Sequence, residues 1–332
     1  MTVGLIICVK SIAEEMELDY VYRSRQSEMA PVADCVWLTE ELLVVAFRTG
    51  LIEIVDVETR AVVATHKLEN KTILSIASVV GSQKIFIQTK ADSVSLFQIE
   101  DWKCLWTVST STAVTFARPT VAGDRVCFVS KGQSVMSMVN IETGYVERQI
   151  DLAPTGANGI TVAIAVSGDG WQALTESVHV VSVSADGKVD TVIRVPFPST
   201  QESVIPTAFF SRSADSWIVG FSDGSLQELS FATGRKSLES NPLDIPVQGG
   251  IGAVTKSASG MVLGGTWQGH IFTLPEVPDQ DQPHSSSIVK ACCSLVRAAV
   301  ASTDGRVSVW DLFPSCGGPP VPSYIPSYSN SD

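Results

Sequence analysis

The stretch "VASTDGRVSVWDLFP", Val300 to Pro314, decides the fold. It joins an apolar run to an Asp-Gly turn signal at Asp304 and Gly305, then to the alternating run "RVSVW". Two apolar runs around Asp-Gly read as a β-hairpin, and two-fold alternation reads as a strand with one face more buried than the other. The same grammar recurs along the chain. "LLVVAFRTGLIEIVDVETR" starts at Leu42, "KIFIQTKADSVSLFQIEDW" at Lys84 and "DRVCFVSKGQSVMSMVNIETG" at Asp124. "GWQALTESVHVVSVSADG" starts at Gly170, "SWIVGFSDGSLQELSFATG" at Ser216 and "GMVLGGTWQGHIFTLPEVPD" at Gly260. The turns fall near Gly50, Asp92, Gly132, Ser177, Gly224, Gly269 and Gly305, at intervals of roughly 36 to 48 residues, the repeat length of a four-stranded propeller blade.

Two more strands accompany each hairpin. An apolar segment precedes it, such as "ADCVWL", "ILSIASVV", "VTFARPTV" or "SIVKACCSL", and reads as the innermost strand. A fourth follows most copies, for example "AVVATHKL", "KCLWTVS" and "KVDTVIRV". The fold class expected is therefore all-β: a seven-bladed β-propeller of four-stranded antiparallel blades. The last blade lacks a fourth strand, because "FPSCGGPPVPSYIPSYSNSD" after Leu312 is kept out of a sheet by Pro and Gly. The N-terminal segment Thr2 to Val9 is expected to supply it, pairing with the blade built from Ile288 to Leu312 and removing two open edges. The acidic segment Ala13 to Tyr20 is read as a solvated connection, a helical turn or a loop. Residues 1–314 form one propeller domain in this reading, and 315–332 a disordered Pro-rich tail.

The chain has 332 residues, 45% hydrophobic and 17% charged, with a formal net charge of -12. That composition supports a large core and excludes global disorder. The acidic balance, with no basic run, argues against a nucleic-acid footprint and against an anionic membrane surface. No apolar run is long enough to span a bilayer, and the N-terminal stretch lacks the flanks of a signal peptide. The seven cysteines, Cys8, Cys35, Cys104, Cys127, Cys292, Cys293 and Cys316, are odd in number and contain no CxxC. Reduced, buried thiols in an intracellular, cytoplasmic or nuclear protein fit that usage.

The repeat pattern resembles the WD-repeat (WD40) family of seven-bladed β-propellers. "STDGRVSVWDLF" carries Asp304, Gly305, Trp310 and Asp311 at the family's positions, and "FSDGSLQELSFATG" matches through Asp223 and Gly224. The other copies are degenerate. The family's Gly-His pair ahead of each blade is absent and Trp310-Asp311 is the one true Trp-Asp pair. The resemblance implies that the His and Asp fastening of each blade is missing here and that core packing replaces it. A weaker similarity, in "MVLGGTWQGHIFTL" and "VRAAVASTDGRVSVWDLFP", is to the guanine nucleotide-binding protein β-subunit-like protein 1 group, which implies a role in assembling large kinases with chaperone partners.

No catalytic, cofactor-binding or metal-ligating constellation is read from the residues. His66, His179, His270 and His284 form neither HxH nor HExxH, and no GxSxG elbow occurs. The glycine-rich pieces Gln248 to Gly252 and Leu263 to Gly269 lack the P-loop lysine and read as tight turns near the ring centre. Pro278 to Ser287 reads as a polar loop, and Tyr324 and Tyr328 sit in a tail that an aromatic groove could bind. The expected function is a non-enzymatic interaction scaffold, a monomeric propeller within a hetero-complex of protein partners. The alternative is a reader of peptides or modified histones, with Trp37, Trp171, Trp217 or Trp267 lining the mouth of the central channel; three of these lie in or beside predicted inner strands, which favours packing. A propeller-type hydrolase fits four scattered histidines poorly.

Overall fold

The computed structural model describes residues 16–25, 30–79, 81–90, 93–109, 117–130, 134–157, 159–168, 170–196, 204–213, 215–231, 238–245, 248–274 and 283–312. Strand β1 (Glu17–Arg23) opens the chain. Blade one follows as β2 (Val32–Trp37), β3 (Leu42–Phe47), β4 (Leu51–Asp56) and β5 (Ala61–Lys67). Blade two is β6 (Ile73–Ser78), β7 (Lys84–Thr89), β8 (Ser93–Gln98) and β9 (Lys103–Ser109). Blade three is β10 (Thr120–Ala122), β11 (Arg125–Ser130), β12 (Val135–Asn140) and β13 (Val146–Asp151). Blade four is β14 (Thr161–Ser167), β15 (Gly170–Thr175), β16 (His179–Val183) and β17 (Val189–Arg194). Blade five is β18 (Pro206–Ser213), β19 (Ser216–Phe221), β20 (Leu226–Phe231) and β21 (Leu238–Leu243). Blade six shows β22 (Ile251–Lys256), β23 (Val262–Thr266) and β24 (Ile271–Leu274) among the described residues. Blade seven is β25 (Ile288–Cys293), β26 (Arg297–Ser302), β27 (Arg306–Asp311) and, on its outer edge, β1. This is the seven-bladed propeller that the sequence pattern predicts, with every strand antiparallel to its neighbours.

The sequence dictates which strands are buried. Second strands such as "LLVVAF" and "RAAVAS" are apolar through their middle residues and almost wholly buried, because each blade is covered on both faces by its neighbours. Outer strands such as "AVVATHK" and "KCLWTVS" are mostly exposed. The described core divides into seven apolar clusters, one in each space between consecutive blades. Six inner strands carry a register shift at the same place, Val32/Asp34, Ile73/Ser75, Thr161/Ala163, Pro206/Ala208, Ile251/Ala253 and Ile288/Lys290. Each bulge bends the strand entering the crowded centre, and backbone groups beside it reach the preceding blade, as Ile251 O and Ile76 N do. Thr207 Oγ1 donates to Ile251 O at 2.6 Å, linking blades five and six, and Thr120 Oγ1 donates to Ile164 O at 3.1 Å, linking three and four.

Ring closure corrects the sequence reading in one respect. An N-terminal strand does complete blade seven, but it is Glu17–Arg23, paired from Glu17 opposite Asp311 to Arg23 opposite Arg306. Thr2 to Val9 lies outside the described residues. The acidic residues of Ala13 to Tyr20 concealed a strand in which Met16 and Leu18 face one side and, after a bulge between Leu18 and Tyr20, Tyr20 and Tyr22 face the other. Tyr22 is buried in the cluster between blades seven and one, and Met16 in that between six and seven.

Polar fasteners hold β1 to blade one. Tyr22 Oη donates to Glu53 Oε2 at 2.5 Å and Ser24 Oγ to Glu53 Oε1 at 3.0 Å. Glu53 is 1% exposed, so these bonds replace the water its carboxylate has lost. Burial, then Glu53, pushes the Tyr22 hydroxyl pKa strongly upward. Arg60 pairs with Asp19 at 2.6 Å and lies 5.1 Å from the centre of the Tyr20 ring. Burial, then Asp19, raises the Tyr20 hydroxyl to about 12. At the other end of the seam Arg297 bonds Glu58 at 2.5 Å and Asp311 at 3.2 Å.

The hairpin turns behave as the Asp-Gly signals predict. Gly224 and Gly305 have φ of 91° and 82°. A Cβ on Gly305 would stand 3.0 Å from Ala30 O. Gly305→Val is therefore expected to cost about 1–3 kcal/mol in urea denaturation through backbone strain; an unchanged midpoint contradicts the turn assignment.

Candidate functional site at one mouth of the channel

Among the described residues, the turns between the second and third strands of six blades repeat one backbone bond. The first residue of each turn donates its N–H to the carbonyl just before the inner strand: Arg48 to Pro31, Lys90 to Thr72, Glu176 to Ile160, Ser222 to Ile205, Trp267 to Gly250 and Thr303 to Ser287. The repetition sets these six side chains at equivalent places around one mouth of the channel. Arg48, Lys90, Glu176 and Trp267 are exposed, whereas Ser222 and Thr303 are half-buried. Arg48 and Lys90 stand on consecutive blades, so the mouth is locally basic on a chain of net charge -12.

Trp267 is the distinctive member. Its indole lies over Gly250 and Gly252: a Cβ on Gly250 would come within 2.6 Å of Cε3, and one on Gly252 within 3.2 Å of Cδ1. Its N–H donates to Gly250 O at 2.8 Å, and its carbonyl accepts from Ser287 Oγ at 2.8 Å. The glycines leave room for the ring to lie against the chain and the two bonds fix the backbone that carries it, yet 41% of the residue remains exposed. A fixed, half-exposed indole can stack on a proline, an aliphatic chain or a guanidinium. The glycine-rich pieces around it thus serve close approach, as the sequence suggested.

The other three tryptophans named from sequence are core residues. Trp37, Trp171 and Trp217 are 9%, 1% and 0% exposed. Trp37 Nε1 donates to Cys292 O at 3.3 Å, and Trp217 Nε1 to Gln172 Oε1 at 2.5 Å. Inside the channel, Arg118 of blade three reaches Asp34 of blade one at 3.4 Å and donates to the carbonyl of Val289 in blade seven. Asp34 also accepts from Cys35 N at 2.9 Å and Ile76 N at 3.0 Å. This carboxylate ties three blades together, and sequence reading gave no sign of it.

Three of the four histidines make structural contacts. His66 stacks on Trp102 with centroids 4.5 Å apart, and its pKa is lowered by burial. Ser177 Oγ lies 3.0 Å from His179 Nδ1 and 3.0 Å from Thr175 Oγ1. This small network supports the blade-four turn, where Val178, a β-branched residue, sits at φ 60°. His284 corrects, for blade seven, the expectation that the His and Asp fastening is missing. In the segment read as a polar loop, it is 2% exposed, with Nε2 2.9 Å from Ser308 Oγ and Nδ1 3.5 Å from Asp304 Oδ1. Trp310 Nε1 donates to the same Ser308 Oγ at 2.8 Å. Burial alone would raise the Asp304 pKa, but His284 and the N–H groups of Ser285 and Arg306 outweigh it and hold the carboxyl at about 2. The signal was hidden because Pro283, not Gly, precedes this histidine. Among the described residues no group of three His, Cys, Asp or Glu side chains could hold a metal ion, and no helix is long and apolar enough to cross a membrane. Compared with known proteins, the chain matches no family model and no curated protein.

Proposed function

We propose that this propeller is a non-enzymatic protein–protein interaction scaffold of the WD-repeat kind that takes an extended peptide segment of its partner across the mouth carrying Trp267, Arg48 and Lys90. The observation that carries the reading is Trp267, an indole held flat on Gly250 and Gly252 yet 41% exposed. An exposed aromatic on a rigid rim is the kind of anchor that dominates interface energetics. Arg48 and Lys90 favour acidic side chains elsewhere in the segment. A single aromatic platform that shares its mouth with two cations suits a methylated, lysine-rich tail poorly, which favours the peptide reading over the histone-reader alternative. The resemblance to the guanine nucleotide-binding protein β-subunit-like protein 1 group supplies a direction for the partner, components that assemble large kinases with chaperones.

Affinity capture with the full chain tests this. Trp267→Ser, and Arg48→Glu with Lys90→Glu, are expected to cut recovery of the wild-type partners at least about tenfold, the effect of losing a hot spot, without moving the melting temperature. Leu295→Ser with Val296→Ser, at the exposed turn between β25 and β26 on the opposite mouth, leaves recovery unchanged. Equal recovery from all variants, or loss with the Leu295 and Val296 pair alone, contradicts the reading.

A further inference from the structure

Where the first and last blades meet, two thiols face each other. Cys35 on β2 is fully buried, Cys292 on β25 is half-buried, and their sulfurs are 3.7 Å apart. Both backbones are fixed nearby, Cys35 N by Asp34 Oδ1 at 2.9 Å and Cys292 O by Trp37 Nε1 at 3.3 Å. Cys292 packs against the seam cluster that contains Cys35, whereas its neighbour Cys293 packs in the cluster between blades six and seven, as alternation along a strand requires. We propose that Cys35 and Cys292 are a redox modification site, which a hydroperoxide converts to a disulfide that locks the propeller ring at its seam.

The sulfurs need only close from 3.7 Å to about 2.05 Å. Cys292 is the solvent-side thiol and reacts first. Its sulfur attacks a peroxide oxygen, the O–O bond breaks, and Cys292 becomes a sulfenic acid while water leaves with the thiol proton. Cys35, whose pKa is raised by its contact with Cys292 and then by burial, keeps its proton until this step. Its sulfur then attacks the Cys292 sulfur, the S–O bond breaks and a second water departs. Two thiols have lost two electrons and two protons, and one hydrogen peroxide has become two waters. The consequence follows from position. Reduced, the ring is closed without a covalent bond, by β1, by packing and by the polar fasteners across the seam. Oxidised, a covalent bond spans nearly the whole circuit of the chain, and opening at this seam is blocked.

The test uses the full chain with Cys104→Ser, which removes an exposed thiol that would link molecules together. After treatment with hydrogen peroxide and alkylation, non-reducing peptide mass spectrometry is expected to recover Cys35 joined to Cys292. The melting temperature rises by roughly 5–10 °C and returns with dithiothreitol. Adding Cys292→Ser or Cys35→Ala removes both the linked peptide and the rise. Cys292 carried to sulfinic acid or joined to another cysteine, with Cys35 unmodified, overturns the proposal. So does a linked peptide with no change in melting temperature, because the ring is then not locked.

Discussion

Deletion of residues 1–24 is expected to give an aggregating protein that has lost the cooperative melt of the full chain. Without β1, the outer edge of β27 presents unpaired N–H and C=O groups from Arg306 to Asp311, a template for pairing with another chain. Tyr22 leaves the seam cluster, and the buried Glu53 carboxylate loses both hydroxyl donors. Each unsatisfied buried group costs about 1–3 kcal/mol, and the lost apolar contacts and strand bonds add to this. The sum is comparable with the whole stability of a typical domain, about 5–15 kcal/mol. Size-exclusion chromatography and a thermal scan read the outcome; a monomer with an unchanged melting temperature contradicts closure by this strand.

Trp217→Ala is the point substitution with the largest expected cost, about 3–5 kcal/mol for truncating a buried tryptophan. Trp217 is 0% exposed between blades four and five and meets Phe231 edge-on at 5.7 Å. Its Nε1 donates to Gln172 Oε1, which also accepts from Ser211 Oγ at 2.9 Å. Truncation opens a cavity and weakens a network that spans the two blades. Trp217→Phe separates the two effects. It keeps most of the ring, loses the Nε1 bond, and is expected to cost about 1–2 kcal/mol. Equal costs for the two variants in urea denaturation would mean that the hydrogen bond, not the cavity, dominates.

Most of the fold was legible because a propeller repeats one message. Gly50, Gly224, Gly269 and Gly305 mark turns with positive φ, and the apolar second strands between them need no tertiary information to be recognised. Reading failed where a single position carried two signals. Glu17 and Asp19 made β1 look like a solvated connection, although Tyr20 and Tyr22 kept its period. Pro283 and the surrounding polar residues disguised His284. The blade-four turn, placed at Ser177, has its positive φ one residue later at Val178, which no glycine announces. The site was legible only in part. Trp267 was one of four candidate tryptophans, and what distinguishes it is the pair of glycines beneath its ring, a contact between segments of different strands. Asp34, Arg118 and Glu53 left no sequence signal, since a buried charge is revealed only by the partners that the fold brings to it. The pairing of Cys35 with Cys292 is likewise spatial, between residues at opposite ends of the ring.

Amide hydrogen exchange across residues 17–23 tests the closure of the ring most directly. If Glu17–Arg23 is the outer strand of the last blade, its amides bonded to β27 exchange as slowly as those of Arg306–Asp311 and through the same global opening. Rapid exchange across residues 17–23, with residues 306–311 still protected, would contradict the closure and with it the seam on which the cysteine pair depends.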